Sequence, residues 1–223
     1  MATKRRLIIE TYDTALTGLW TLSKWDFSPA EQVKDFIDVP GRKKGPLDMS
    51  TALTDGDPVY GARTLTAILE SSEGSRLERE NRINVMVNWL DGWRANIKLP
   101  DDEQHYIVGR VNVKKLYNDL AHCSVEVTAT CEPWRYNNEE TKVVLVGATE
   151  VQKATLPNAG RLVVVPLLTV TDGDVLLTAG GSSWALGPGS YALPDLVVVA
   201  AGGKEIEYSG TGTLTFTYRE GVL

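Results

Sequence analysis

The side chains best suited to chemistry are few. The 223 residues contain two histidines, His105 and His122, and two cysteines, Cys123 and Cys131. Metal centres and nucleophile–base pairs draw heavily on these types, so their scarcity restricts both. If strands over 105–113 and 123–131 pair through a turn at 116–120, His105 comes opposite Cys131, which offers two ligands toward zinc. Structural zinc takes four protein ligands, so a strand-end histidine beside a buried thiol is the preferred reading. His122 and Cys123 are neighbours on a strand and face opposite ways, so they do not chelate together. The two cysteines lie eight residues apart on one alternating strand. That is about 26 Å at roughly 3.3 Å per residue, well beyond the roughly 7 Å Cα separation a disulfide bridges. Reduced, buried thiols are expected, and no metal or cofactor.

The acidic and glycine motifs give no stronger chemistry. Asp-Gly-Asp at 55–57 and at 172–174, and Asp101-Asp102, do not continue into a calcium loop with a distal glutamate, so turns are expected. Gly202-Gly203-Lys204 fails as a phosphate loop, because Val198 stands where the first glycine belongs and Glu205 where Ser or Thr belongs. Gly187-x-Gly189 and Gly210-x-Gly212 precede no helix, and no Gly-x-Ser-x-Gly elbow occurs. A carboxylate pair for a hydrolase is a matter of three-dimensional separation, which spacing does not give. Six tryptophans stand at 20, 25, 89, 93, 134 and 184. Trp89 and Trp93, at i and i+4, are expected to pack in the core or its rim rather than meet a sugar or a partner. Trp184, with Tyr191, is the better sugar-stacking candidate, with core packing again the plainer reading.

These residues are positioned by two unlike halves. The first is α+β and runs to the Cys131-Glu132-Pro133-Trp134 junction; the second is β-patterned. A strand is expected over 6–12, then a less regular stretch anchored by Trp20, Trp25 and Phe27. Residues 38–62 are rich in Gly, Pro and Asp, with few positions suited to a ladder; a stretch this long is a functional arm or a misread element. A strand follows over 63–70. Ser75-x-x-Glu78 is a capping box that opens a helix over 76–91, with Ile83, Met86, Val87 and Leu90 on one face and Gly92 at its end. Strands are expected over 94–99, 105–113 and 123–131. After a polar linker at 137–141 come short strands over 142–147, 161–171, 174–179, 182–186, 196–201, 204–208 and 212–219. Such strands separated by Gly and Pro turns indicate a sandwich or barrel, with Pro166 on an edge or bulge.

Composition narrows the partners. Hydrophobic residues make up 43% of the chain, enough for a core in each half. The net charge of −6 argues against gripping nucleic acid through its phosphates. The runs at 162–168 and 196–201 are too short to span a bilayer, and the basic start lacks a secretory apolar stretch, so a cytoplasmic origin without membrane insertion is expected. Arg42-Lys43-Lys44 reads either as solvated turn charge or as part of an arm reaching an acidic neighbouring subunit.

Taken in order, several stretches carry a resemblance. They are Val39-Pro40-Gly41-Arg42, Gly45-Pro46-Leu47-Asp48, Arg63-Thr64-Leu65-Thr66-Ala67 and the helix with Val87-Asn88-Trp89-Leu90-Asp91-Gly92. Ile97-Lys98-Leu99-Pro100-Asp101-Asp102, Tyr106-Ile107-Val108-Gly109-Arg110-Val111, the strand ending Cys131-Glu132-Pro133-Trp134 and the closing Tyr218-Arg219-Glu220-Gly221-Val222-Leu223 complete it. Collectively they resemble the distal tail protein family of long-tailed, siphovirus-like bacteriophages, prophages and tail-derived bacteriocins. The resemblance implies a mainly β fold. Residues 1–136 would be an N-terminal, ring-forming β-sandwich with the helix and an extended arm at 38–62. Residues 137–223 would be a C-terminal galectin-like or carbohydrate-module-like β-sandwich.

The resemblance also implies a non-enzymatic hub at the virion tail tip, assembled in the host bacterial cytoplasm. Its partners would be copies of itself in a hexameric ring, the tail tube protein, the tail-tip hub or tail-associated protein, and receptor-binding proteins. DNA would pass through without specific binding. The inter-subunit contacts of the arm are expected at Pro40, Arg42, Lys43, Lys44 and Pro46. The alternative is a carbohydrate-binding protein that attaches to the host surface through Trp184 and Tyr191.

Overall fold

The computed structural model describes residues 6–16, 19–38, 40, 46–51, 58–200 and 202–223. The described residues are mainly β with one helix, as expected, and the chain divides into two compact units, Met1–Arg135 and Tyr136–Leu223.

In the first unit, β1 (Ile8–Ile9) and β2 (Tyr12–Asp13) form a tight hairpin where the sequence predicts one strand. Glu10 takes φ 54° and breaks it. Its N–H donates to the Asn96 carbonyl at 2.8 Å, and its carboxylate accepts the Asn96 N–H at 2.7 Å. These two bonds offset the steric cost of a left-handed non-glycine residue. β3 (Thr21–Phe27) occupies the stretch that reads as irregular. β4 (Phe36–Ile37) and β5 (Leu47–Asp48) form a separate two-stranded sheet. β6 (Arg63–Ser71), α1 (Arg76–Leu90), β7 (Arg94–Lys98), β8 (His105–Asn118) and β9 (Cys123–Asn137) follow. The main sheet runs in the order β2-β1-β7-β8-β9-β6-β3.

Alternate residues fill its core. Leu65, Ala67 and Leu69 meet Val125, Val127 and Ala129, with Ile97, Ile107, Val111 and Val113 and the helical Ile83, Met86 and Leu90. A period of two in the strands and one helical stripe thus supply a single apolar interior. Gly109 is required within β8: a Cβ there would lie 2.6 Å from Cys131 Sγ. The capping box forms, with Ser75 N–H donating to Glu78 and Glu78 N–H to Ser75. The helix leaves through Gly92 at φ 78° and is tied to β8, with Gly92 N–H donating to the Val111 carbonyl at 2.8 Å. The expected 116–120 turn lies further on. β8 continues to Asn118, and Asp119 makes the turn by accepting the N–H groups of Ala121 and His122 at 2.8 and 2.7 Å.

The second unit is a sandwich of two four-stranded antiparallel sheets. One holds β10 (Thr141–Val146), β17 (Thr213–Tyr218), β12 (Leu167–Thr171) and β15 (Gly189–Ala192). The other holds β11 (Gln152–Leu156), β16 (Lys204–Gly210), β13 (Val175–Ala179) and β14 (Ser182–Leu186). Leu168, Val170, Leu214 and Phe216 of the first share a core with Leu156, Val175, Leu177 and Ile206 of the second. Two expected strands shrink. Only Leu167–Thr171 of 161–171 pairs as a strand, after Pro166, and the described part of 196–201 makes isolated bridges, Val164 with Val198 and Val199 with Gly203. The preceding loop is tied instead by Glu220, which accepts Thr141 Oγ1–H at 2.6 Å and the N–H groups of Ala159 and Gly160 at 2.7 and 3.2 Å.

Candidate functional site

The hairpin between β3 and β6 is the feature that the core of its unit does not explain. Its root is secured by Arg63, which is buried at the start of β6. Arg63 Nε donates to the Ser28 carbonyl at 2.7 Å and its Nη1 to the Pro133 carbonyl at 3.3 Å, while the guanidinium lies 3.8 Å over the Phe27 ring. Burial lowers the pKa of this guanidinium, and Arg135 nearby acts in the same direction. Two carbonyls and an aromatic face compensate the buried charge. Tyr60 adds an edge-on contact to Trp134, with centroids 5.6 Å apart.

Beyond the root the two legs pair with each other. Gly61 N–H donates to the Glu31 carbonyl, Val33 N–H to Val59, and Met49 N–H to Asp35. Ser50 caps this end: its hydroxyl accepts the Asp35 N–H, and its own N–H donates to Asp48. Hydrogen bonds from the Ser50 hydroxyl and then its N–H hold the Asp48 carboxyl below its ordinary range. The sequence predicts an arm over 38–62 with little ladder pairing. The hairpin in fact starts before residue 38, and its legs satisfy part of their backbone within the chain. What it leaves uncovered is apolar surface: Phe36 is 57% exposed, and Ile37, Leu47, Val33 and Val59 are exposed as well. A two-stranded ribbon with such side chains in water is marginal by itself. Pro40 and Pro46 are exposed in this end, whereas Arg42, Lys43 and Lys44 lie outside the described residues.

The other sequence candidates are not brought together. Trp184 lies on β14 and Tyr191 on β15, in different sheets of the sandwich. Each packs partly against the interior, and the Tyr191 hydroxyl donates to the Gly187 carbonyl at 3.0 Å. A groove of about 430 Å³ on the outer side of the β11–β16–β13 sheet is lined by Lys153, Thr155, Thr178, Glu205 and Glu207, with no aromatic ring. His105 does not meet Cys131: its Nδ1 lies 2.8 Å from Asp102 Oδ1, and Arg135 reaches the other Asp102 oxygen at 3.1 Å. Burial pushes the Asp102 pKa up, but His105 and Arg135 outweigh it and hold the carboxyl below its usual range. Both cysteines are free and buried, and burial pushes the Cys131 thiol up to about 11. Among the described residues no three His, Cys, Asp or Glu side chains cluster as a metal site, and no helix is long and apolar enough to cross a membrane.

Two features were not read from the sequence. Trp89 and Trp93, expected in the core or its rim, are largely exposed: Trp89 lies off the buried helical stripe of Arg79, Ile83, Met86 and Leu90, and Trp93 lies beyond the helix's last residue. Arg79 holds the Asp119 and Leu120 carbonyls at 2.9 and 3.0 Å and so fixes the β8–β9 turn. Its place at i−4 from Ile83 was the available signal, masked by its charge.

No family model matches the sequence, and no curated protein does. A solved structure matches in fold: "Crystal Structure of SPP1 Dit (gp 19.1) Protein, a Paradigm of Hub Adsorption Apparatus in Gram-positive Infecting Phages". The TM-score is 0.66 over 96% of this chain and 98% of that one, at 14% identity, a likeness of fold along nearly the whole length of both.

Proposed function

We propose that the chain is a structural hub of a phage tail tip, acting as a ring of identical subunits between the tail tube and the tail-tip proteins. One observation carries the reading: an end-to-end fold likeness to a protein described as a hub of an adsorption apparatus, in a chain whose arm ends in uncovered apolar residues. A closed ring needs two different surfaces on each subunit, one meeting the next copy and one meeting the previous. The arm supplies one of them. Its contacts with the neighbour would be made by Pro40, Arg42, Lys43, Lys44 and Pro46 together with the apolar β4–β5 end.

In this reading the ring is hexameric, its hole passes DNA without specific contacts, and its faces meet the tube protein, the tail-tip hub protein and receptor-binding proteins. It is assembled in the host cytoplasm, resides at the virion tail tip and performs no reaction. The carbohydrate-binding alternative has less support, because Trp184 and Tyr191 lie on different sheets and face inward. The test is removal of the arm. Gln32 and Tyr60 are bridge partners, so an Asn-Gly turn can join them in place of residues 33–59. The shortened protein should keep its strand spectrum and sediment as a monomer while the full chain forms the ring. An unchanged assembly after this deletion refutes the role of the arm.

A further inference from the structure

The C-terminal end of α1 carries a second uncovered apolar surface. Trp89 and Trp93 wall a groove of about 380 Å³ whose floor is formed by the buried Ile9 and Leu90. Glu10 and Arg94 stand at its rim. Both are already engaged, Glu10 with the Asn96 N–H and Arg94 with the Glu132 carboxylate. A sugar site needs several convergent polar groups, and this groove is mainly apolar. It suits an apolar insert.

We propose that this groove receives the Phe36–Ile37 end of the arm from a second copy of the chain. The inference rests on the ring reading above and names the surface on the neighbour that the arm meets. The arm does not occupy the groove of its own chain, since Phe36, Ile37, Trp89 and Trp93 are all exposed. The areas suit each other. The indoles are 60% and 66% exposed, which leaves on the order of 300 Å² in water at about 250 Å² per side chain. Phe36, 57% exposed, adds on the order of 110 Å² from about 200 Å². The two indoles therefore offer somewhat over a third of the roughly 800 Å² that a receiving partner buries in a specific interface, and Phe36 about a seventh of the arm's share. The aliphatic Ile37, Leu47 and Val33 add to it. Groove and arm are different surfaces, so a copy that receives one arm keeps its own for the next copy, which is the head-to-tail contact of a ring.

The test replaces Phe36 with photoreactive benzoylphenylalanine in the full chain. Equal amounts of ¹⁴N and ¹⁵N protein are mixed, illuminated and mapped by mass spectrometry. Mixed-isotope crosslinks within residues 86–95 are expected. A Trp89→Ser, Trp93→Ser double variant with an unchanged circular dichroism spectrum should associate at least tenfold more weakly. Mixed-isotope crosslinks elsewhere overturn the groove assignment and leave the ring reading standing. Crosslinks to the groove that are exclusively same-isotope, with none mixed, place the arm on its own chain and also overturn it. A monomer without intermolecular crosslinks overturns both readings. If the double variant assembles normally but loses retention on cell-wall glycan, the groove belongs to a sugar and the proposal fails.

Discussion

Replacing Arg63 with Met isolates how the arm is held at its root. The aliphatic stem survives, while the bonds to the Ser28 and Pro133 carbonyls and the stacking over Phe27 are lost. A hydrogen bond from a charged donor contributes about 1.5–3 kcal/mol net. The Ser28 bond, at 2.7 Å, belongs within that range; the 3.3 Å bond to Pro133 should contribute less, about 0.5–1 kcal/mol. A partly desolvated cation–π contact adds about 1 kcal/mol. Relief from burying the guanidinium of Arg63, which is 8% exposed, returns on the order of 1 kcal/mol. The net loss is then about 2–4 kcal/mol. Urea unfolding of the first unit should show this as a lower midpoint at unchanged slope. Hydrogen exchange should place the loss at the arm, with faster exchange at the Ser28, Val33 and Gly61 amides and little change in the β10–β17 ladder. A loss below about 0.5 kcal/mol with unchanged exchange at those amides would refute the assignment of Arg63 as the root of the arm.

Three further outcomes are expected. Gly109→Ala places a methyl 2.6 Å from Cys131 Sγ and 3.1 Å from the Thr130 carbonyl, costing about 1–3 kcal/mol; Cys131→Ala in the same chain should restore part of the loss in thermal unfolding. Asp102, Asp119, Glu78 and Glu80 all have folded-state pKa values below their ordinary ones. Their contribution is present above the unfolded carboxylate range, near pH 4, and is lost as pH falls through the lower folded values; urea titrations from pH 6 to pH 2 should show this decline, and Asp119→Asn should flatten it. Trp184→Ala should lower the melting temperature through a loss of about 2 kcal/mol, less than for a fully buried tryptophan, and should leave any retention on cell-wall glycan unchanged; selective loss of retention would favour the carbohydrate alternative.

The fold was legible wherever a period could be counted. The alternation of Val125, Val127 and Ala129, the capping box at Ser75 and Glu78 and the sandwich signature of the second half were readable because each depends on neighbours in sequence. β3 was missed because Thr21–Phe27 is an edge strand with mixed burial, so its alternation is blurred. β11 and β15 were missed for related reasons: Gln152–Leu156 is mostly polar, and Gly189 opens β15 next to a Gly-Pro turn. The arm was legible as an insertion but not as a hairpin, since Gln32 and Tyr60 bridge across 28 positions in which no short-range pattern repeats. Trp89 was misplaced because its aromatic ring was given more weight than its position off the stripe of Ile83, Met86 and Leu90, and Trp93 because the helix ends at Leu90, so helical spacing does not extend to it. Arg79 holds the buried stripe through carbonyl acceptors forty residues away, a contact that no local pattern encodes.

Electron microscopy of the purified full chain tests the central claim most directly. The account predicts class averages of a closed ring with a central hole, in which the arm of each subunit crosses onto the next. Single subunits at high concentration, with the β4–β5 hairpin packed against their own helix, would contradict it.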